Sequence, residues 1–178
     1  MKHVIAINGA SSAGCTSLVD RLSVRTADAV RAFHIDDFVR CLPDATWERC
    51  SGSDAGWAEI GMLFNQHLFD ECPEGGVVLA DCFLGLGHAR EHLFERFGCD
   101  NVTYVQLYCE LDELERREAL RGDRKRGLAR SQFEVIYSFT DFDVRIDSTR
   151  SSVAECADAL LGVLPGSLTD RIDVRAGR

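Results

Sequence analysis

Gly9-Ala10-Ser11-Ser12-Ala13-Gly14-Cys15-Thr16 decides how this chain is read. Its spacing is that of a phosphate-binding loop, G-x-x-x-x-G-K-[ST], with Cys15 standing where the lysine belongs. The flanks agree. Val4-Ile5-Ala6-Ile7 is a short apolar run that predicts a buried strand, and Leu18, Val19 and Leu22 recur at helical spacing after Thr16. Strand, glycine loop and helix follow in the order that such a loop requires. Gly9 and Gly14 let the backbone curl around an anion, while the helix start offers unpaired N–H groups and a positive dipole end. The backbone of Ser11, Ser12, Ala13, Gly14, Cys15, Thr16 and Ser17 is therefore the candidate nucleotide cradle, and the Thr16 hydroxyl a candidate magnesium ligand. An ordinary βα turn of small residues would account for the glycines alone. It would not account for Thr16 and both flanks together. At the start of a helix the Cys15 thiol is expected to have a lowered pKa and to be the most readily alkylated of the eight cysteines.

Working outward, Val30 to Asp36 predicts a second strand, with Ala32, His34 and Asp36 on one side and Phe33 and Ile35 on the other. Asp36 and Asp37 then sit at the carboxyl end of a strand, where open α/β sheets gather their functional groups. Asp36 is the candidate general base and Asp37 the next; capping of the following turn is the alternative. Val77-Val78-Leu79-Ala80-Asp81 predicts a third strand, its continuous apolar run suiting a parallel sheet covered on both faces. Asp81 is placed to hold magnesium or its water, with helix capping again the competitor.

Residues 41–56 lack periodicity and read as a surface loop or lid on the substrate side. Trp47 and Trp57 flank its second half and either line a pocket or pack. From Trp57 onward Ile60, Leu63, Phe64, His67 and Leu68 mark a helix face, which makes His67 a core-edge residue and not a ligand. Strands are further expected at Val102–Tyr108 and Asp143–Asp147, and a last helix opens on a Ser152-x-x-Glu155 capping box. The chain beyond Pro165 reads as a loosely docked end.

The helix after the fourth strand ends in a dense run of cations: Arg116, Arg117, Arg121, Arg124, Lys125, Arg126 and Arg130. Asp112 and Glu113 lie four residues before Arg116 and Arg117 and explain those two as a solvated face. They explain Arg121, Arg124 and Arg126 less well. Arginines suit bidentate binding of phosphate oxygens, so residues 121–130 read as an arginine-rich lid.

Composition narrows the function classes. The 178 residues carry a net charge of −9, which argues against general nucleic-acid or anionic-membrane binding. No stretch is long enough to span a bilayer and no signal peptide is visible, so a cytoplasmic protein is expected. The cysteines show no C-x-x-C spacing and read as reduced, mostly buried thiols. One domain is expected over residues 1–178, and a homo-oligomer stays open.

Assembled, these parts resemble the chloramphenicol phosphotransferase family of P-loop kinases over nearly the full length. The resemblance rests on Asn8 to Gly14, on Ala32-Phe33-x-Ile35-Asp36, and on Asp81-x-Phe83-Leu84-Gly85. It rests further on Arg117-Glu118-x-x-Arg121-Gly122-Asp123-Arg124-x-x-Gly127 and on Asp143-Val144-x-Ile146-Asp147-x-Thr149. It implies a doubly wound α/β fold with a five-stranded parallel sheet ordered 2-3-1-4-5. It also implies ATP with magnesium, Asp36 taking the proton from a substrate hydroxyl, Arg121 and Arg124 meeting the nucleotide phosphates, and Thr16 at the magnesium position. The implied acceptor is a small-molecule alcohol, either amphenicol-like, with a link to antibiotic resistance, or an unrelated metabolite. Three departures stand out. Cys15 replaces the lysine, Ala80 replaces the first of two consecutive acids, and the segment from Asp36 to Asp81 is short. Two functions follow: an active phosphotransferase, or a nucleotide-binding or regulatory protein impaired by loss of the lysine.

Overall fold

A computed structural model describes residues 1–26, 30–85, 88–121 and 126–172. Five parallel strands form one sheet in the order β2-β3-β1-β4-β5: β1 His3–Asn8, β2 Arg31–His34, β3 Val77–Cys82, β4 Val102–Tyr108 and β5 Val144–Asp147. The central strands are buried on both faces, as their continuous apolar runs require.

Alternation divides those strands between two cores. Ile5, Ile7, Leu79, Val105 and Leu107 face one side. There they meet Leu18, Val19 and Leu22 of α1 (Cys15–Arg25) and Ala157 and Leu160 of α8 (Val153–Val163). Val4, Ala6, Val78, Ala80 and Tyr104 face the other side. Their partners are Phe64 and Leu68 of α4 (Asp54–Glu71) and Leu93 and Phe97 of α5 (Ala89–Phe97). The capping box at Ser152 forms as expected, with Glu155 N–H donating to Ser152 Oγ.

Three expectations are corrected. The second strand stops at His34, because Ile35–Arg40 forms a short helix, α2, with Asp36 and Asp37 in its first turn. Acids favour that end of a helix. The turn also brings Phe38 onto Phe64 and stacks it on His67, which confirms His67 as a packing residue. Residues 41–56 are not an irregular loop. Asp44–Cys50 forms α3, and Ser53 caps α4 by accepting from Gly56 N–H at 3.1 Å. The two helices meet so closely that a Cβ on Gly56 would lie 2.0 Å from the Cys50 carbonyl oxygen. Trp47 and Trp57 pack edge to face across this corner. The end of the chain is not loosely docked either. Gly166–Ile172 forms α9, which buries Leu168 and Ile172, and Arg171 donates to the carbonyls of Met1, Gly75 and Gly76.

Helices α6 (Leu111–Leu120) and α7 (Leu128–Tyr137) lie in the chain between β4 and β5. Glu118 joins them: it is buried, and its carboxylate accepts from Gly127 N–H at 2.6 Å and Ala129 N–H at 2.8 Å. Those bonds hold its pKa below the usual carboxylate value, the Ala129 N–H contributing most. Among the described residues, no helix is long and apolar enough to cross a membrane.

Candidate active site

The glycine loop fills the turn between β1 and α1 and is held in shape from several directions. Ala13 N–H donates to Ala10 O at 2.9 Å, closing the turn. Ser12 and Gly14 take left-handed conformations, φ 71° and 103°. At Gly9 the backbone approach is tight: a Cβ would lie 2.7 Å from Leu107 O and 2.9 Å from Cys15 Sγ. Ala13 O receives Ser148 Oγ at 2.9 Å and Arg117 Nη1 at 3.3 Å, while Arg117 Nη2 donates to Ser148 O at 2.6 Å. Helix α7 supplies two more partners. Ala10 N–H donates to the Tyr137 hydroxyl at 3.3 Å, which itself donates to Leu107 O at 3.0 Å, and Ser11 N–H donates to Gln132 Oε1 at 2.8 Å. At the start of α1 the N–H groups of Cys15, Thr16 and Ser17 have no acceptor within the helix, which leaves them for an anion.

A cavity of about 850 Å³ opens over the carboxyl ends of β1, β2 and β3. It is lined by the loop, by Thr16 and Ser17, and by Asp36, Asp37 and Asp81. Arg121 and Gln132 reach it from the α6–α7 side, and Trp57 from α4. The sequence candidates Gly9, Ser11, Ser12, Gly14, Cys15, Thr16, Ser17, Asp36, Asp81 and Arg121 thus share one cavity. Ala13 lines a second hollow of about 200 Å³ on the other side of the loop, with Arg117, Ser148 and Cys156. Arg124 lies outside the described residues. Arg126 is exposed and is not among the residues that line the cavity. Arg116 and Arg130 are surface ion pairs with Glu113 and Glu115.

Inside the cavity Thr16 Oγ1 donates to Asp81 Oδ2 at 2.5 Å. Asp81 reaches this place because β3 pairs in register with β1, Ile7 opposite Asp81. On its other flank β2 sets His34 opposite Asp81. His34 Nε2 lies 3.0 Å from Asp20 Oδ1 and Nδ1 lies 3.9 Å from Asp81 Oδ2, the second an ion-pair distance and not a hydrogen bond. The Asp81 carboxylate holds the His34 pKa above its ordinary value, Asp20 adds to the effect and partial burial opposes it.

The expectation of a reactive thiolate at Cys15 is overturned. The side chain is buried in the core, and burial pushes its pKa well above the ordinary value, with the Asp81 charge adding to the shift. Desolvation outweighs the helix-start donors because the sulfur lies beneath the loop, against Gly9. Cys15 therefore brings neither a positive charge nor a thiolate to the cavity. All eight cysteines are free, and only Cys41 and Cys99 are exposed.

His34, Gln132 and Tyr137 are contacts of the candidate site that sequence spacing did not single out. Gln132 and Tyr137 bond the loop across 121 and 127 residues of chain, a separation that no local pattern encodes. For Arg117 the i, i+4 pair with Glu113 was legible, and it forms, at 2.7 Å. Its second partner, the loop carbonyl, was not.

A parallel sheet of this order, a glycine loop between β1 and α1, and carboxylates at the strand ends define the class: a P-loop kinase of the small-molecule type. The chain belongs to the family described as chloramphenicol phosphotransferase-like protein, which it matches over residues 2–165. No curated protein matches it by sequence. Among solved structures it is similar to a sugar kinase from Janibacter sp. HTCC2649, with TM-score 0.72, 16% identity, and 91% of this chain and 94% of that chain covered. It is also similar to the Mycobacterium tuberculosis APS kinase CysC in complex with AMPPNP and APS, with TM-score 0.70, 19% identity and coverage of 90% and 96%. The shikimate kinase from Acinetobacter baumannii in complex with shikimate gives TM-score 0.64, 13% identity and coverage of 96% of both chains. At these identities the likenesses establish the fold, and family membership supports a nucleotide-dependent, kinase-like function.

Proposed function

We propose that the chain transfers the terminal phosphate of ATP to the hydroxyl of a small molecule. The observation that carries this reading is the single cavity in which the loop, the Thr16–Asp81 pair and the Asp36–Asp37 turn meet. The free N–H groups at the start of α1 hold the inner phosphates. Asp36 accepts the proton of the acceptor hydroxyl as its oxygen bonds to the terminal phosphorus; the bond to the leaving ADP oxygen breaks. Arg121 on the cavity wall neutralises charge on the transferred group, a role that the family resemblance also gives to Arg124. Magnesium fits the donors present. Thr16 and Asp81 offer two adjacent oxygens, and among the described residues no cluster of three or more His, Cys, Asp or Glu forms a protein-only cage. Hard oxygen ligands, few from the protein and the rest from water and phosphate, are what magnesium takes. When bound it supplies charge neutralisation at the phosphates.

On the acceptor side Asp36, Asp37, Trp57 and Phe83 line the cavity, a mixture that suits an alcohol with an apolar body; amphenicol-like alcohols belong in the first screen. One observation favours a second reading, that of a nucleotide-binding protein with impaired turnover: the buried, protonated Cys15 leaves the lysine's charge unreplaced at its own position. One experiment separates the two. Nucleotides with and without magnesium are screened by thermal shift, and ADP release is then followed with a panel of alcohols, using Asp36→Asn as control. Binding with acceptor-dependent ADP release that the variant loses by at least about 10²-fold supports the kinase. Binding without release supports the second reading, and absence of any nucleotide shift refutes both.

A further inference from the structure

Helix α7 reaches into the phosphate loop in a way that the loop's own sequence does not require. Ser11 N–H is already engaged by Gln132 Oε1 at 2.8 Å, and Ala10 N–H by the Tyr137 hydroxyl. Gln132 comes from a rigid element and not from the arginine loop: Glu118 pins the first turn of α7 through Gly127 and Ala129, and Ala129 and Ile136 are buried in the core. Gln132 is half-buried and lines the main cavity together with Arg121, Leu128 and Ser131. A carboxamide is planar, so fixing its oxygen on one donor also fixes the direction of its two N–H bonds. The donors left on α1 begin at Cys15, whereas Gln132 meets the loop at Ser11, further from that helix start. A phosphate chain with its inner groups on α1 and its outer group toward the start of the loop would meet Gln132.

We propose that Gln132 is a phosphate-binding residue of this site: its Oε1 stays on the Ser11 amide and its N–H₂ group donates to the terminal phosphate of a bound nucleoside triphosphate. This rests on the kinase reading and adds to it a neutral donor from α7, in a cavity where Cys15 supplies no charge. It also assigns Gln132 a discriminating task, because a diphosphate is too short to reach it.

The test compares ADP with the non-hydrolysable triphosphate AMPPNP, each with magnesium, by isothermal titration calorimetry. Gln132→Glu keeps an acceptor for Ser11 N–H but replaces the donor by a charge that repels phosphate. Gln132→Ala removes both contacts and serves as the second variant. In both, AMPPNP affinity is expected to fall about tenfold or more, and ADP affinity to change less than about twofold. The thermal midpoint of nucleotide-free Gln132→Glu should equal that of the parent, since the Ser11 bond survives. Equal losses for the two nucleotides would reduce Gln132 to a structural strut and overturn the proposal, as would unchanged AMPPNP affinity. These outcomes leave the kinase reading intact, whereas a parent protein that binds neither nucleotide removes both.

Discussion

Cys15→Lys restores the charge that the loop lacks, and its effect can be worked from the site. In the parent, burial and the nearby Asp81 keep the thiol protonated, so position 15 contributes only its backbone N–H to an anion. A lysine cannot follow the sulfur inward, because the space beneath the loop is filled: a mere Cβ on Gly9 would already stand 2.9 Å from Cys15 Sγ. The longer chain must leave toward the cavity, which residue 15 lines. There its ammonium meets the phosphates. A hydrogen bond to a charged group contributes about 1.5–3 kcal/mol, or about 10- to 150-fold in affinity. Vacating the thiol's space costs about 1 kcal/mol, which lowers the thermal midpoint by roughly 2–4 °C in a chain of this size. Calorimetry with magnesium and AMPPNP should therefore show at least about tenfold tighter binding in a slightly less stable protein. If the parent turns over at all, turnover should rise by about 10²–10³. A folded Cys15→Lys protein that binds AMPPNP no more tightly than the parent would mean that the loop does not wrap a triphosphate, and the reasoning from the loop would fail.

Gly9→Ala should lower the thermal midpoint by roughly 2–12 °C, since the new methyl would lie 2.7 Å from a backbone oxygen of β4 that cannot yield; an unchanged midpoint in a thermal scan would contradict that close approach. His3 makes a pH prediction. Burial, with Arg171 adding and Asp143 opposing, lowers its pKa from 6.5 to about 4, so between these values the unfolded chain takes up a proton that the folded one refuses. Stability is then full above pH 6.5 and falls as the pH drops toward 4, by about 2 kcal/mol at pH 5. Urea titrations at pH 7 and pH 5 should show that loss in the parent and a smaller one in His3→Gln; equal losses would assign the slope to other groups.

What the sequence disclosed, and what it hid, follows from the range of the interactions involved. The loop, the strands and the capping box are written in adjacent residues, and all are found. The strand order came with the family resemblance, because pairing across the sheet leaves no local trace. Helix α3 was missed because its signal is tertiary: Cys50 is buried and Gly56 allows the close approach of α4, but neither makes a period in seven residues. The end of β2 was misplaced by two residues because Phe38 needs a helical turn to reach Phe64 and His67. The error at Cys15 was one of sign. A helix start stabilises a thiolate only where its donors outweigh the cost of burial; here the Cys15 N–H acts in that direction, but burial in a low-dielectric core, with the Asp81 charge adding, prevails.

The same geometry bears on what loss of the lysine means. Contacts from β4, α6, α7 and the turn after β5 hold the curl of the loop: Leu107 beside Gly9, Tyr137 on Ala10, Gln132 on Ser11, and Arg117 with Ser148 on Ala13. It keeps that shape against a cost. Ser12 stands at a left-handed φ of 71°, a strain of about 1–2 kcal/mol for a residue with a Cβ, and its buried hydroxyl finds no partner among the described residues. None of these contacts involves the side chain that a lysine would add at position 15. Shape and charge are therefore separable here: replacing lysine by Cys15 removes a charge from the site and leaves the cradle standing. A cradle preorganised in this way can still bind phosphate through N–H groups alone. Turnover then depends on the donors around it, Arg121 just past α6 and Gln132 from α7, and not on any rebuilding of the loop.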